Sequence, residues 1–200
     1  MSCGNGVFRR AEVRRTTTET DIGVRLDLDG TGIATVTTGL GFLDHMLISL
    51  ARHARFDLDL ECKGDLQVDD HHTVEDCALV LGRALLDSRG DGAGIARFGE
   101  ARVPMDDALA VAAVDLGGRP FAQVDLDLRR DRLGEVACEN LTHFLGSLAQ
   151  AGAFNLHLDV LRGVNDHHKA EAAFKAVAVA LRRALRRDGG DTVPSTKGVL

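Results

Sequence analysis

One seven-residue pattern occurs twice in this chain, and that repetition limits the folds open to it. Asp69-Asp70-His71-His72-Thr73-Val74-Glu75 is matched 96 positions later by Asn165-Asp166-His167-His168-Lys169-Ala170-Glu171. The likeness reaches further out. His45-Met46-Leu47-Ile48-Ser49-Leu50-Ala51 aligns with His143-Phe144-Leu145-Gly146-Ser147-Leu148-Ala149, and Phe56–Leu60 with Phe154–Leu158, both at an offset of 98. Six of the eight histidines fall at matched positions; His53 and His157 do not. A repeat of this kind points to two similar units sharing one core. The expectation is one domain over 1–200, made of pseudo-repeats at about 8–92 and 93–187, with a tail over 188–200.

The repeated residues suggest metal chemistry. Adjacent histidines on a helix point about 100° apart, so they do not easily grip one ion. His71 and Glu75 are i, i+4, as are His167 and Glu171, and each such pair shares a helix face. His72 and His168 then point elsewhere, toward a second metal or another chain. A helix N-terminus disfavours imidazolium, leaving the neutral form that binds metal. By parity, His71, Glu75 and His143 with His168 form one ligand set, and His45, His167 and Glu171 with His72 the other. Nitrogen and oxygen donors with open positions suit Mn²⁺, Fe²⁺ or Zn²⁺. Asp76 is left out because Ala172 takes its place in the second copy.

Periodicity predicts an α+β protein. A long strand is expected over 11–28, where alternation is clearest from Ile22, and Asp29-Gly30-Thr31-Gly32 predicts a hairpin to a strand over 33–38. A helix over 42–54, a strand over 56–61 and a helix from an Asp69 or Asp70 N-cap to about Ser88 follow. The second half predicts strands over 102–116 and 121–128, a helix over 139–151, a strand over 154–161 and a helix over 166–187. The pattern is β-β-α-β-α twice, with helices packed between antiparallel sheets.

Composition excludes several classes. The net charge of −6 and the absence of Trp and Tyr oppose a nucleic-acid surface. No apolar run is long enough to cross a bilayer, and Met1–Gly6 lacks a secretory signal's apolar core, so a cytoplasmic protein is expected. Cys3, Cys62, Cys77 and Cys138 have no C-x-x-C spacing and read as reduced thiols.

Arg97, Arg119 and Lys197 lie in Gly-flanked, loop-like positions, the last in Ser195-Thr196-Lys197-Gly198. Each alone reads as surface charge; together they would suit a phosphate. There is no Walker or dinucleotide-binding glycine loop, which argues against nucleotide phosphoryl transfer. His53 lies two turns beyond His45 and could reach a site; His157 reads as structural or surface.

The chain resembles the imidazoleglycerol-phosphate dehydratase family in its monofunctional form. The resemblance rests on Arg15–Thr20, Thr38–Met46, the Asp69–Asp76 block, Pro104-Met105-Asp106, Asn165–Ala176 and Pro194–Gly198. Ser49 departs from members that carry a Gln near the phosphate. The resemblance implies a duplicated fold similar to ribosomal protein S5 domain 2. It also implies two Mn²⁺ per active site, other divalent metals being possible, and a homo-oligomer of 24 chains built from trimers, with sites between subunits. The implied reaction dehydrates imidazoleglycerol phosphate in histidine biosynthesis through a di-metal-bound imidazolate. Its implied ligands are His45, His71, His72, Glu75, His143, His167, His168 and Glu171. Implied substrate contacts are Glu19, His53, Arg97, Arg119, Lys175, Ser195 and Lys197, with Glu19 the candidate base. The alternatives on these residues are a two-metal phosphatase or other hydrolase, an S5-like RNA-binding module and a metal-storage shell.

Overall fold

A computed structural model describes residues 9–200; Met1–Phe8, including Cys3 and the start of the expected first repeat, lie outside the described residues. Strands β1 (Arg10–Thr16) and β2 (Thr20–Asp27) pair antiparallel. The strand expected over 11–28 is therefore two. Thr17 Oγ1 accepts from the backbone N–H groups of Glu19 and Thr20, at 3.1 and 3.0 Å, which closes a tight turn inside a run of β-branched residues. The strand expected over 102–116 divides in the same way into β5 (Phe98–Met105) and β6 (Ala108–Asp115). There the turn is Asp106-Asp107, with Asp106 at φ 47°, a left-handed conformation that Asp tolerates better than most residues.

The hairpin expected at Asp29-Gly30-Thr31-Gly32 does not form. Strand β3 (Ala34–Thr37) pairs in parallel with β4 (Asp57–Gly64), and β4 lies between β3 and β2. A parallel pair needs a crossover, which helix α1 (Gly41–Ala54) supplies. The turn instead wraps a carboxylate: Asp57 Oδ1 accepts from the N–H groups of Thr31, Gly32 and Ile33. Helix α2 (His71–Arg89) ends the first half.

The second half repeats this plan. Strand β7 (Phe121–Asp125), helix α3 (Cys138–Ala151) and strand β10 (Asn155–Arg162) form the matching crossover, and helix α4 (Asp166–Ala184) closes the chain's regular structure. The sheet orders are β1-β2-β4-β3 and β5-β6-β10-β7. Each half is thus β-β-β-α-β-α, and each sheet is antiparallel except for a parallel edge strand. The small hairpin β8 (Arg132–Leu133) and β9 (Val136–Ala137) sits in the longer connection from β7 to α3 and has no equivalent among the described residues of the first half.

Helices α1 and α2 pack on the first sheet, α3 and α4 on the second, and the two helix layers face each other. The pairing crosses the halves: α1 meets α4, and α2 meets α3. Period-two alternation explains the inward faces, with Ile22, Val24, Leu26, Leu58 and Leu60 buried on one sheet and Ala108, Ala110, Ala112, Leu156 and Leu158 on the other. The second sheet's small residues let α4 approach closely. A Cβ at Gly99 would lie 2.1 Å from the Ala180 carbonyl oxygen. Phe56, Phe144, Phe154 and Phe174 fill the space between layers, each stabilising by about 1.5–3 kcal/mol. Cys62, Cys77 and Cys138 are buried free thiols. No helix among the described residues is long and apolar enough to cross a membrane.

Candidate metal centres

The crossed helix pairing places two His/Glu clusters at the α2–α3 and α1–α4 contacts. In the first, His71 and Glu75 of α2 meet His143 of α3; in the second, His167 and Glu171 of α4 meet His45 of α1. Within each cluster one ligand atom per residue lies within 4.8 Å of the others. His143 Nε2 is 3.0 Å from Glu75 Oε1, and His71 Nε2 is 3.8 Å from Glu75 Oε2. The rings of His71 and His143 stack at 4.9 Å. His167 Nε2 and His45 Nε2 are 3.3 and 3.7 Å from Glu171 Oε2. Each cluster draws on both halves, so neither half alone can build one.

His72 and His168 point away from these clusters. Nδ1 of His72 is 3.1 Å from Asp65, and its Nε2 is 3.8 Å from Glu19. In the matching place, His168 Nδ1 is 2.6 Å from Asp107 and its Nε2 is 3.5 Å from Asp106. The carboxylate on Nδ1 raises each imidazole's pKa above the ordinary 6.5, Asp65 acting on His72 and Asp107 on His168. That partner also directs Nε2 outward, a common arrangement around metal-bound histidine. Glu19 therefore has a counterpart: Asp106 occupies the same place in the second half.

The anchors of the two turns differ. Asp76 accepts from Thr20 Oγ1 and pairs with Arg15, fixing the Glu19 turn on α2. Its buried carboxylate is engaged by these two partners. At the second turn, Asp107 Oδ2 accepts from the N–H groups of Val164 and Asn165.

Asp70 does not cap α2 with its side chain, although it occupies the N-cap position. Its buried carboxylate reaches across to the other half, where it accepts from Ala137 N–H at 2.8 Å and Asn140 Nδ2 at 3.0 Å. Burial pushes this carboxyl up, but the hydrogen bonds from Asn140 and Ala137 outweigh it and leave it below the ordinary value. Asn165 is the residue that caps α4, accepting from His167 N–H at 2.9 Å. Asp166 accepts from the N–H groups of Arg129 and Arg130 and pairs at 3.3 Å with the fully buried Lys169. Lys169 also pairs with Asp127 at 2.9 Å. The connection over 126–137 is thereby tied to the start of both α2 and α4.

Of the remaining candidates, Lys175 and His53 stand by the second cluster. Lys175 Nζ lies 2.8 Å from Glu171 Oε1. Burial raises the Glu171 carboxyl, yet the Lys175 hydrogen bond and neighbouring charges bring it below its ordinary value. Burial, then the Lys175 charge, holds His53 below 6.5. Arg97 pairs with Asp115 at 2.8 Å and donates to the Pro194 carbonyl at 2.9 Å, so it seats the tail that carries Ser195 and Lys197. The tail's end lies on the loop before Arg119, where Gly118 has φ 76° and a Cβ would meet the Leu200 carbonyl carbon at 2.5 Å. Lys197 N–H donates to Ser195 Oγ at 3.2 Å. No hydrogen bond or ion pair joins Arg119, Ser195 or Lys197 to either cluster among the described residues. Asp65, Asp107 and Asn140 are given no role in the sequence expectations, and Asp106 enters them only within Pro104-Met105-Asp106. Each acts across a turn or between halves.

A family model described as imidazoleglycerol-phosphate dehydratase matches residues 38–181. The imidazoleglycerol-phosphate dehydratase of Phytophthora nicotianae is 57% identical over 197 residues, covering 98% of this chain and 44% of that longer protein. That of Methanothermobacter thermautotrophicus is 55% identical over 193 residues, covering 96% of this chain and 98% of its own. Among solved structures, imidazoleglycerol-phosphate dehydratase from Staphylococcus aureus superposes with a TM-score of 0.81 at 32% identity, covering 89% of this chain and 99% of its own. The Pyrococcus furiosus enzyme in complex with (S)-C348 has a TM-score of 0.81 at 38% identity, covering 94% and 100%.

Proposed function

The chain belongs to the imidazoleglycerol-phosphate dehydratase family, hydro-lyases of histidine biosynthesis, and from that premise we propose how its residues divide the work. The reaction converts D-erythro-imidazoleglycerol phosphate to imidazoleacetol phosphate and water, in the cytoplasm. The observation that carries the reading is the pair of His/His/Glu clusters built across the halves. Their donor set fits two divalent ions, Mn²⁺ being our assignment. His71, Glu75 and His143 would hold one and His45, His167 and Glu171 the other. His168 and His72, aimed away from their own chain's clusters, would complete them in neighbouring copies. Such sharing fits an assembly of 24 chains built from trimers.

When bound, the two ions supply the positive charge that favours the substrate's ring as imidazolate. The chain's own groups do the rest. Glu19, half-exposed beside His72 Nε2, takes the proton from the carbon next to the departing hydroxyl. The hydroxyl leaves and ends as water, and the resulting enol becomes the ketone. Arg97 orders the tail through Pro194, so that Ser195 and Lys197, with Arg119, can grip the phosphate. His53 and Lys175 complete the wall beside Glu171. The same proposal reads the chain as one domain of two pseudo-repeats followed by a substrate-binding tail over 188–200.

Metal analysis of the purified protein, with a dehydratase assay on imidazoleglycerol phosphate, tests this reading. Two divalent ions per chain and a turnover abolished by chelation are expected. Release of inorganic phosphate without dehydration would point to a hydrolase instead.

A further inference from the structure

The two clusters are matched in ligands but not in what holds those ligands. His71 Nδ1 lies 2.9 Å from Asn140 Oδ1. The orientation of that amide is fixed, because Asn140 Nδ2 donates to Asp70 Oδ2. Both Asp70 and Asn140 are 4% exposed, so water does not compete with either bond. A carbonyl oxygen only accepts, so Nδ1 of His71 must carry the proton. Nε2 is then the lone-pair nitrogen, and it faces Glu75 and His143.

The offset that aligns His45 with His143 aligns Phe42 with Asn140. Phe42 touches the matching histidine, His167, but through its ring: the centroids are 5.3 Å apart at 71°. Packing of this kind sets the tilt of a ring without choosing its tautomer. Among the described residues no hydrogen bond fixes a ring nitrogen of His167; Glu171 lies 3.3 Å from Nε2 and the His45 ring 5.8 Å away. Lys175 also sits 2.8 Å from Glu171, where its charge opposes that of an incoming cation. The residue matched to Lys175 in the first copy is Leu79, which carries no charge.

We propose that Asn140 is a positioning residue for His71, and that the Asp70–Asn140–His71 chain makes the His71/Glu75/His143 cluster the tighter of two unequal ion sites. The inference rests on the metal-binding reading above. Unequal sites load in order: the His71 cluster fills first and stays filled, and the Glu171 cluster exchanges its ion.

Graded removal of Mn²⁺ from the full-length protein by EDTA tests this, with ions retained per chain as the readout. Two steps are expected, each of one ion per chain. Asn140→Leu, similar in branching but unable to accept, should weaken the tighter step by roughly 10–100-fold and leave the other in place. Phe42→Leu should leave the tighter step unchanged. A second measurement needs no variant of Asn140. Solid-state ¹⁵N spectra of the histidine-labelled, metal-free protein should show His71 protonated at Nδ1, its signal identified by loss in His71→Gln. A single step in the wild type, an Asn140→Leu effect shared by both steps or absent from both, or His71 protonated at Nε2 would each overturn the inference. Failure to take up any divalent ion would instead remove the metal reading itself, and this inference with it.

Discussion

The α2–α3 and α1–α4 contacts carry the same His/His/Glu set but differ in the groups that hold His71 and His167. At α2–α3, His71 is held by a buried amide and carboxylate; at α1–α4, His167 is held by the ring of Phe42. The buried Lys169 of α4 is Thr73 in α2, and Lys175 is Leu79. The Glu19 turn is anchored from α2 by Asp76, while the Asp106-Asp107 turn is anchored by its own carboxylate on the loop before α4. The ligands of a divalent ion must match in kind and place, whereas their supports need only deliver them. A symmetric pair of ion sites can therefore sit in an asymmetric pocket, and an asymmetric substrate needs that asymmetry.

The largest expected difference between the halves is catalytic. Glu19 and Asp106 stand at matched places, beside His72 and His168. If Glu19 alone is the base, Glu19→Gln should lower kcat by about 10²–10⁴ while ion content and assembly stay normal. Asp106→Asn should cost much less. Equal losses in steady-state assays would make both carboxylates part of the chemistry, and a near-normal Glu19→Gln would direct attention to His53.

A second contrast concerns stability. Lys169→Met leaves the buried Asp166 without its ion-pair partner, which should cost about 3–5 kcal/mol. For a chain of this size that is a fall in melting temperature on the order of 10 °C. Thr73→Ala, at the matched position, removes a buried hydroxyl with no hydrogen-bond partner among the described residues, and should change stability by less than about 1 kcal/mol. Thermal unfolding of the two variants compares them directly. Similar losses would mean that the 126–137 connection is not what Lys169 secures.

The members of the two His/Glu clusters were legible in the sequence because the repeat sets residue types at helical spacing: His71/Glu75 and His167/Glu171 stand as i, i+4 pairs, and the offset of His45 and His143 brings in the third member. The duplicated α+β plan was legible for the same reason. Where the first strand broke was not, because Thr16 to Glu19 are as compatible with an extended strand as with a turn. The parallel pairing of β3 was hidden because Asp29–Gly32 is good turn chemistry that serves Asp57, a residue 25 or more positions away. Asn140 escaped notice because its partners, His71 and Asp70, are 69 and 70 residues distant.

A smaller effect is expected at the tail, which only the second half carries. If Lys197 grips the phosphate as proposed, Lys197→Ala removes one charge-assisted contact and should cost about 1.5–3 kcal/mol, read mainly as a rise in KM of roughly ten- to a hundredfold. An unchanged KM would take Lys197 out of the site.

The central claim is that two ion sites, each built across the halves, are completed by histidines of other chains. Anomalous diffraction from crystals of the Mn²⁺-loaded protein, measured at the manganese edge, addresses it most directly. Two peaks per chain are predicted, one at His71/Glu75/His143 and one at His45/His167/Glu171, each also contacted by His168 or His72 of a neighbouring copy. A single peak per chain would contradict the account, as would ions held by His72 with Asp65 and Glu19 inside one chain.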